Sequence, residues 1–260
     1  MHAQVWFVLD EDVTSDALLA RYGALLSAAE HEREQRFVFE ADRRRHRVTR
    51  ALVRTVLSEA VPTVAPADWS FVVGSHGRPE LHPDHGLPPL SFNVSHCDGA
   101  VVLAVKRGST VGIDVESRVR KGATVEIAER FFSPAEVMGL HALLPGEQRD
   151  RFFVLWTLKE AYIKARGLGL SIPLESFSFE LEGDAIALRC EAECEEANPA
   201  RWAFAMYALT PSHTMSMAVE GDAGESARLP LELVRTIPLV SETPVSVRPV
   251  LASPRRAFPQ

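Results

Sequence analysis

The chain has 260 residues, of which 46% are hydrophobic and 24% are charged, and these are ordinary values for a globular protein. This length fits one large domain or two small ones, each able to bury a core. The formal net charge of -7 argues against general binding to nucleic acid, and no apolar run is long enough for a transmembrane helix.

The amino terminus indicates a strand and not a targeting signal. Residues 5–9 are apolar and are followed at once by acidic residues, without the basic segment and longer apolar core of a signal peptide. The three cysteines, Cys97, Cys190 and Cys194, are odd in number and complete no zinc site. We therefore expect free thiols in a reducing compartment and a cytoplasmic protein.

Positive charge is concentrated in one segment of this acidic chain. Residues 31–54 contain eight arginines and four acidic residues. A capping box at Ser27 predicts a helix start, and the spacing of apolar residues predicts a second helix that ends near residue 60. An arginine-dense helix favours a small anionic ligand, whereas the alternative is a solvated helical face.

A histidine-containing loop at residues 74–89 separates the next expected strands. It has three histidines but no clear fourth zinc ligand. The strands are expected at 69–73, 90–94 and 100–105. Ser95 and His96 follow the second of these strands, and adjacent residues of a strand point to opposite faces, so they do not form a nucleophile–base pair.

Two carboxylates share one face of the following strand. Residues 111–116 read VGIDVE, and Asp114 and Glu116 are two positions apart. Neighbouring carboxylates repel each other, and a set of oxygen ligands favours a hard cation such as magnesium. The competing interpretation is a half-exposed edge strand with its polar residues facing outward.

A third carboxylate lies on a long helix expected at residues 147–166. Glu160 and Lys164 are one turn apart and share a helix face. They can form an ordinary surface ion pair, or supply a further carboxylate and a cation for a phosphate. Shorter helices are expected before this one, at 125–132 and 134–144, and strands after it, at 177–181, 185–190, 202–209 and 214–219.

The expected elements occur in a similar order twice. A strand, helices and further strands make up residues 1–108, and the same content recurs over residues 109–222, which suggests two α+β halves. Residues 223–260 are rich in proline and have little periodicity. We expect a tail there that is partly disordered or packed on the surface.

Four segments, in this order and spacing, resemble the surfactin-synthetase-type (Sfp-type) 4′-phosphopantetheinyl transferases. They are residues 92–96 (FNVSH), 111–116 (VGIDVE), 131–136 (FFSPAE) and 156–164 (WTLKEAYIK). The resemblance covers about residues 1–220. It implies an α+β pseudo-dimer of two similar halves, with coenzyme A bound in the cleft between them.

The resemblance also implies an activity. The 4′-phosphopantetheine moiety of coenzyme A passes to a serine of an apo carrier protein, giving the holo carrier protein and 3′,5′-ADP, with magnesium or manganese as the cofactor. The serine hydroxyl would attack the β-phosphate in an in-line transfer. The implied partners are acyl or peptidyl carrier domains of polyketide, nonribosomal peptide or fatty acid synthases, and the implied enzyme is a monomer.

The resemblance assigns roles to individual side chains. Asp114, Glu116 and Glu160 would hold the metal, and Glu160 is also the candidate base. Coenzyme A would contact Lys164, Ser95 and His96 at the phosphates, Arg78 beside the adenine and Arg45 at the 3′-phosphate. A second basic residue at the 3′-phosphate would be Arg33 or Arg36.

The partner surface and two other classes of function stay open at this point. Residues 118–130 carry Arg118, Arg120, Lys121 and Arg130, so they can dock an acidic carrier protein or form a solvated loop. The other classes are a different magnesium-dependent phosphotransferase or hydrolase of nucleotides, and a non-catalytic module that binds coenzyme A or a carrier protein.

Overall fold

A computed structural model describes residues 3–74, 77–120, 122, 125–221, 229 and 232–253. Its α-helices are α1 (Asp16–Gly23), α2 (Ala28–Gln35), α3 (Glu40–Ala60), α4 (Val125–Phe131), α5 (Pro134–His141) and α6 (Pro145–Arg166). Its strands in the first half are β1 (Gln4–Leu9), β2 (Phe71–Val73), β3 (Pro79–Leu81), β4 (Leu90–Cys97) and β5 (Ala100–Arg107). The later strands are β6 (Val111–Ser117), β7 (Phe177–Glu182), β8 (Ala185–Cys190), β9 (Trp202–Thr210), β10 (His213–Glu220), β11 (Glu232–Ile237), β12 (Ser241–Ser246) and β13 (Leu251–Ala252).

The first large sheet has the strand order β12-β11-β1-β5-β4. Strand β1 is antiparallel to β5 and parallel to β11. The side chains of β5 alternate between two cores, because successive residues of a strand point to opposite faces. Val101 and Leu103 join the core that includes α3, and Val102 and Ala104 join a core shared with the second sheet.

The second large sheet has the order β6-β10-β9-β13-β8-β7. Met215 and Met217 of β10 enter the core shared with the first sheet. Phe204 of β9 and Ala218 of β10 enter a third core, which contains most of the apolar side chains of α6. The two sheets therefore pack face to face with α3 and α6 on their outer sides, and the fold is α+β with two similar halves.

The strand β6 lies in close contact with α6. A Cβ atom placed on Gly112 would lie 2.0 Å from the carbonyl oxygen of Ala161 and 2.4 Å from the nitrogen of Ala165. Only glycine fits at such a distance from a helix backbone. This contact brings the face of β6 that carries Gly112 against one side of α6.

Most elements predicted within residues 1–222 are present with small shifts of their ends, but a helix and a strand of that part were missed. Helix α1 and strand β3 were not predicted, and β3 lies inside the expected loop at 74–89. Strand β3 is only three residues long and pairs with β2 alone, so it leaves little periodic signal.

The expected tail needs a larger correction. Strand β11 pairs with β1, β12 pairs with β11, and β13 pairs with both β9 and β8. Residues 232–253 are therefore part of both sheets and not an irregular surface segment. The sequence signal was weak because β12 is an exposed edge strand that contains Pro244, and proline is tolerated at a sheet edge.

The arginine-dense segment is largely structural. Arg54 is 1% exposed and pairs with Glu30 at 2.7 Å, and Arg47 of α3 pairs with Glu34 of α2 at 2.5 Å. These ion pairs join the two helices. The expectation of a ligand-binding helical face therefore reduces to a few arginines. The alternative of a solvated face applies to Arg33 and Arg36, which are the exposed ones of the eight. In the described part of the chain, no helix is long and apolar enough to span a membrane.

Candidate active site

The carboxylates of β6 face α6. Asp114 and Glu116 continue the side of β6 that begins at Gly112, because side chains two positions apart share a face. Asp114 is only 4% exposed and Glu116 is half-buried. Strand β6 is an edge strand of its sheet, as the competing interpretation required, but its acidic residues do not point outward into solvent.

Asp114 is the centre of a polar cluster formed by three elements. Its Oδ1 atom accepts a hydrogen bond from the Ser95 hydroxyl at 2.7 Å and lies 2.5 Å from Nζ of Lys164. Lys164 also donates to the Ser95 hydroxyl at 3.1 Å. The Oδ2 atom of Asp114 is buried and has no hydrogen-bond partner. A buried carboxylate oxygen without a partner is costly, which indicates that a ligand completes this cluster.

Two side chains of β4 connect the two sheets beside this cluster. The amide oxygen of Asn93 accepts a hydrogen bond from the backbone nitrogen of Ile113 at 2.8 Å. The hydroxyl of Ser95 lies 3.4 Å from the backbone nitrogen of Val115. These bonds satisfy edge groups of β6 and fix its position relative to β4. Asn93 was missed as a site residue, although it lies inside the FNVSH segment.

Glu116 and Glu160 are close enough to Asp114 for the charges to interact. Burial, and then the Asp114 charge, raises the pKa of Glu160 to about 7, and Lys164 partly offsets this shift. Burial and Asp114 also raise the pKa of Glu116, while Arg120, 3.5 Å away, opposes the shift. Burial lowers the pKa of Lys164, but the carboxylates, led by Asp114, outweigh it, and the pKa is raised.

These carboxylates do not form a compact metal site in the structure. Within the described residues, no group of three histidine, cysteine, aspartate or glutamate side chains is close enough to hold a metal ion. Lysine and arginine cations lie against the two carboxylates of β6 instead. The donor set nevertheless fits a hard cation, since it consists of carboxylate oxygens, one of them a buried oxygen without a partner.

His96 and Arg45 lie beside each other at the far end of β4. The ring of His96 reaches solvent, and its pKa is lowered by desolvation and by the charges of Arg45 and Lys164. Arg45 is held by two acidic side chains, Asp98 at 2.6 Å and Asp42 at 3.2 Å. The structure therefore places Arg45 close to His96, with its guanidinium held by two carboxylates.

Arg78 connects the two halves of the chain. Its guanidinium donates to the backbone oxygens of Lys164 and Phe92 at 3.2 Å and to the Ser91 hydroxyl at 2.8 Å. Positive charge at the carboxyl end of α6 is favourable because the last carbonyl groups of a helix lack partners. Arg78 is thus placed near the site, but its donors are directed at protein groups.

Some basic side chains of the segment after β6 pair with acidic residues, and others are exposed. Arg118 lies 3.8 Å from Asp150, and Arg120 pairs with Glu116. Arg130 is exposed and stacks on the ring of Phe131. Lys121 lies outside the described residues. Val119 is 73% exposed, so an apolar residue accompanies the basic ones.

Known proteins similar to this chain cover both halves. Residues 14–108 match the family described as "4'-phosphopantetheinyl transferase, N-terminal", and residues 110–218 match the "4'-phosphopantetheinyl transferase superfamily".

Individual relatives agree with these matches. A 4′-phosphopantetheinyl transferase of Bacillus subtilis is 40% identical over 164 residues, which cover 63% of this chain and 70% of that protein. The 4′-phosphopantetheinyl transferase Sfp of Bacillus subtilis (strain 168) is 38% identical over the same shares. A phosphopantetheinyl transferase of Thraustochytrium sp. is 33% identical over 228 residues, covering 83% of this chain and 77% of that protein. With identities of this size over most of the relatives' length, the chain belongs to the 4′-phosphopantetheinyl transferase family.

Proposed function

We propose that this enzyme loads acyl or peptidyl carrier domains with phosphopantetheine from coenzyme A at the cluster around Asp114. Transfer of this group to carrier proteins is the activity of the family. The observation that carries the assignment of the site is the buried Oδ2 atom of Asp114, which has no partner although Ser95 and Lys164 occupy the neighbouring oxygen. A site of this charge pattern fits a pyrophosphate bound together with a cation.

The metal would be held by Asp114, Glu116 and Glu160. A bound magnesium ion supplies charge neutralisation on the pyrophosphate and favours departure of the leaving group. Burial and the charge of Asp114 raise the pKa values of Glu116 and Glu160 when no cation is present. Binding of the cation would therefore favour their ionised forms.

Two side chains would bind the phosphate oxygens directly. Lys164 keeps its charge, because the surrounding carboxylates raise its pKa, and it can donate to an oxygen of the transferred phosphoryl group. His96 has a lowered pKa, so its ring is neutral near pH 7 and acts as a hydrogen-bond donor. Ser95 holds Asp114 and Lys164 in place and offers its hydroxyl beside them.

Glu160 is the base in this proposal. The carrier serine forms a bond from its oxygen to the β-phosphorus, the bond from that phosphorus to the leaving oxygen breaks, and 3′,5′-ADP departs. The proton of the serine passes to Glu160, directly or through a water, because a carboxylate beside the nucleophile can accept it. Its half-buried side chain lies on α6, one turn before Lys164.

Incubation with coenzyme A, magnesium and an apo carrier protein tests the whole proposal. We expect the intact mass of the carrier to increase by one phosphopantetheine group, with 3′,5′-ADP as the second product. Release of nucleotide without a mass gain on the carrier would support a nucleotide hydrolase. Binding of coenzyme A without any reaction would support a non-catalytic module. Carriers from fatty acid, polyketide and nonribosomal peptide systems, compared by kcat/KM, identify the preferred class.

We also propose that the carrier docks on the surface after β6, with the basic residues facing acidic groups near its serine. Val119 and Arg130 are exposed there, and Arg120 touches the proposed metal ligand Glu116. Exposed apolar and basic groups together suit an acidic partner with an apolar contact.

The surface is tested with Val119→Asp, which is expected to raise KM for the carrier about tenfold while KM for coenzyme A stays unchanged. Val240→Asp is the matched control, because Val240 is 59% exposed in the β11–β12 turn, on the opposite edge of the first sheet from β4. If both variants and the unmodified enzyme have the same KM for the carrier, this surface is not the docking site.

The proposed enzyme is a monomer. Each side chain assigned to the site comes from one chain, and the two sheets bury their shared core within that chain. Sedimentation at assay concentrations that reports a dimer would contradict this part of the proposal.

A further inference from the structure

The second half of the chain holds a pair of cysteines outside the proposed transfer site. Cys190 ends β8, and Cys194 ends a short 3₁₀ helix, Ala192–Cys194. Both are free thiols, and their sulfur atoms are 3.2 Å apart. A disulfide has a sulfur–sulfur distance of about 2.05 Å, so the two atoms need to approach by only about 1.2 Å.

We propose that Cys190 and Cys194 are a redox modification site, at which a small disulfide such as oxidised glutathione converts the two thiols into a reversible intramolecular disulfide. The two sulfurs are already in hydrogen-bond contact, so the effective concentration of the second thiol is high. Only three residues lie between Cys190, at the end of β8, and Cys194, and the closed loop is therefore short.

The exposure of the two sulfurs assigns them different roles. Cys190 is half-buried and can meet a small oxidant, whereas Cys194 is 1% exposed and packs in the core of α6. We therefore expect Cys190 to react first with the oxidant and Cys194 to resolve the mixed disulfide. Two-thiol sites of this kind, with one accessible and one resolving cysteine, are typical of reversible oxidation.

The surroundings of Cys194 favour its thiolate. The hydrogen bond with Cys190 lowers the pKa of Cys194, in spite of burial, and Tyr162 and Arg166 lower it further. The hydroxyl of Tyr162 lies 3.8 Å from the sulfur, and Arg166 donates to that hydroxyl at 2.8 Å and to the backbone oxygen of Cys194 at 3.3 Å. A thiolate is the form that attacks a disulfide.

The reaction balances with a single equivalent of the small disulfide. Cys190 gives up its proton, which can pass to the Cys194 sulfur, and attacks one sulfur of oxidised glutathione, so that a first glutathione thiolate leaves. Cys194 then loses its proton and attacks the Cys190 sulfur, and the second glutathione thiolate leaves. The protein loses two electrons and two protons, and the oxidant gains them as two molecules of glutathione.

Cys97 provides an internal comparison. It is also half-buried, but burial and the Glu116 and Asp114 charges raise its pKa to about 12. Its described thiol contact is the backbone oxygen of Asp98 at 3.6 Å. The hydrogen bond with Cys194 and burial raise the pKa of Cys190 as well, but Cys190 has a second thiol 3.2 Å away that can take up its proton and resolve an adduct. Cys97 has no such neighbour among its described contacts, so it should stay reduced under conditions that oxidise the pair.

The test treats the full chain with oxidised glutathione, blocks the remaining thiols by alkylation and digests the protein with trypsin. Residues 190–201 form one tryptic peptide that contains both cysteines. We expect this peptide to lose two hydrogens and to carry no alkyl group, while Cys97 is alkylated. Dithiothreitol should restore two alkylatable thiols in the peptide.

Two variants separate the steps. Cys194→Ser should accumulate a glutathione adduct on Cys190, because the resolving thiol is absent. Cys190→Ser should show neither a disulfide nor an adduct, because the buried Cys194 is out of reach. The proposal is overturned if both cysteines of the unmodified chain stay alkylatable, if each carries a separate glutathione, or if Cys97 is oxidised first.

Discussion

Helix α6 carries two lysines that each pair with a carboxylate. The two pairs differ in whether all the carboxylate oxygens have hydrogen-bond partners. Lys159 is fully buried, and its Nζ atom lies 2.8 Å from Glu136 and donates to the backbone oxygens of Leu174 and Phe177. Glu136 in turn accepts hydrogen bonds from the Ser133 backbone and hydroxyl and from the Phe179 nitrogen. Both oxygens of this carboxylate therefore have partners.

The second pair, Lys164 with Asp114, lies one turn further along α6 and is incomplete. One oxygen of Asp114 has two donors, and the other is buried without any. Two more carboxylates, Glu116 and Glu160, add negative charge that Lys164 alone does not balance. A complete pair holds the fold together, whereas an incomplete one is arranged for a ligand.

The largest effect that tests this comparison is expected for Asp114→Asn. The amide keeps the shape but removes the charge needed for a cation, so we expect kcat/KM to fall at least about 100-fold. The melting temperature without magnesium should change little, because relief of the repulsion with Glu116 and Glu160 offsets the lost ion pair with Lys164. Asp184→Asn, in the exposed β7–β8 turn, is the control and should keep full activity. A normal rate of carrier loading by Asp114→Asn would contradict the assignment of Asp114 to the cation site.

Glu136→Gln should give the reverse result. The substitution leaves Lys159 buried without a counter-charge, so we expect the free energy of unfolding to fall by about 3–5 kcal/mol. Activity per folded molecule should be retained. The exposed pair of Glu180 with Arg189 supplies the control Glu180→Gln, which should cost less than about 1 kcal/mol. Urea unfolding measures both, and a loss of activity without a loss of stability would contradict the structural role.

Arg45→Ala should affect substrate binding and not stability. Loss of a charge-assisted hydrogen bond of about 1.5 kcal/mol corresponds to an approximately tenfold rise in KM for coenzyme A. The KM for 3′-dephospho-coenzyme A should change much less, since that substrate lacks the phosphate. Arg43→Ala, which removes an exposed pair with Glu40 on the same helix, is the control. Equal changes in KM for both substrates would show that Arg45 does not bind the 3′-phosphate.

The smallest effect concerns pH. The pKa of Glu160 is raised from 4.5 to about 7 in the folded protein, so stability is fully present below the unfolded value and is lost as pH rises through the folded value. Without magnesium, the free energy of unfolding should fall by about 1 kcal/mol between about pH 4.5 and pH 7, less than the full shift because the side chain is partly solvated. Glu160→Gln, or saturating magnesium, should flatten this curve. Urea titrations with a chelator present measure it.

Much of the site was predictable from the sequence because its residues lie in regular elements. The two-residue step of Asp114 and Glu116 on a strand, and the four-residue step of Glu160 and Lys164 on a helix, follow from local geometry alone. The resemblance carried by all four segments predicted the family, and the repeated order of elements suggested the two α+β halves.

Other features depend on contacts between distant segments. Gly112 was one glycine among 15 in the sequence, and only the approach of α6 shows why it has to be glycine. The arginines of α3 gave a correct local charge, but the sequence did not show that Arg47 and Arg54 pair with α2, because those partners are known only after the helices pack. The strands β11 to β13 gain their hydrogen bonds from strands far away in the chain, so their own sequence carried little signal.

The sequence by itself determined which residues carry charge and which of them share a face of one strand or one helix. Tertiary structure decided which of those charges are balanced. Lys159 and Lys164 are of one type on one helix, and local spacing treats them alike. The difference between a completed structural pair and an incomplete site arises from the groups that β4, β6, α5 and the segment before β7 bring to them, because burial makes every missing partner costly.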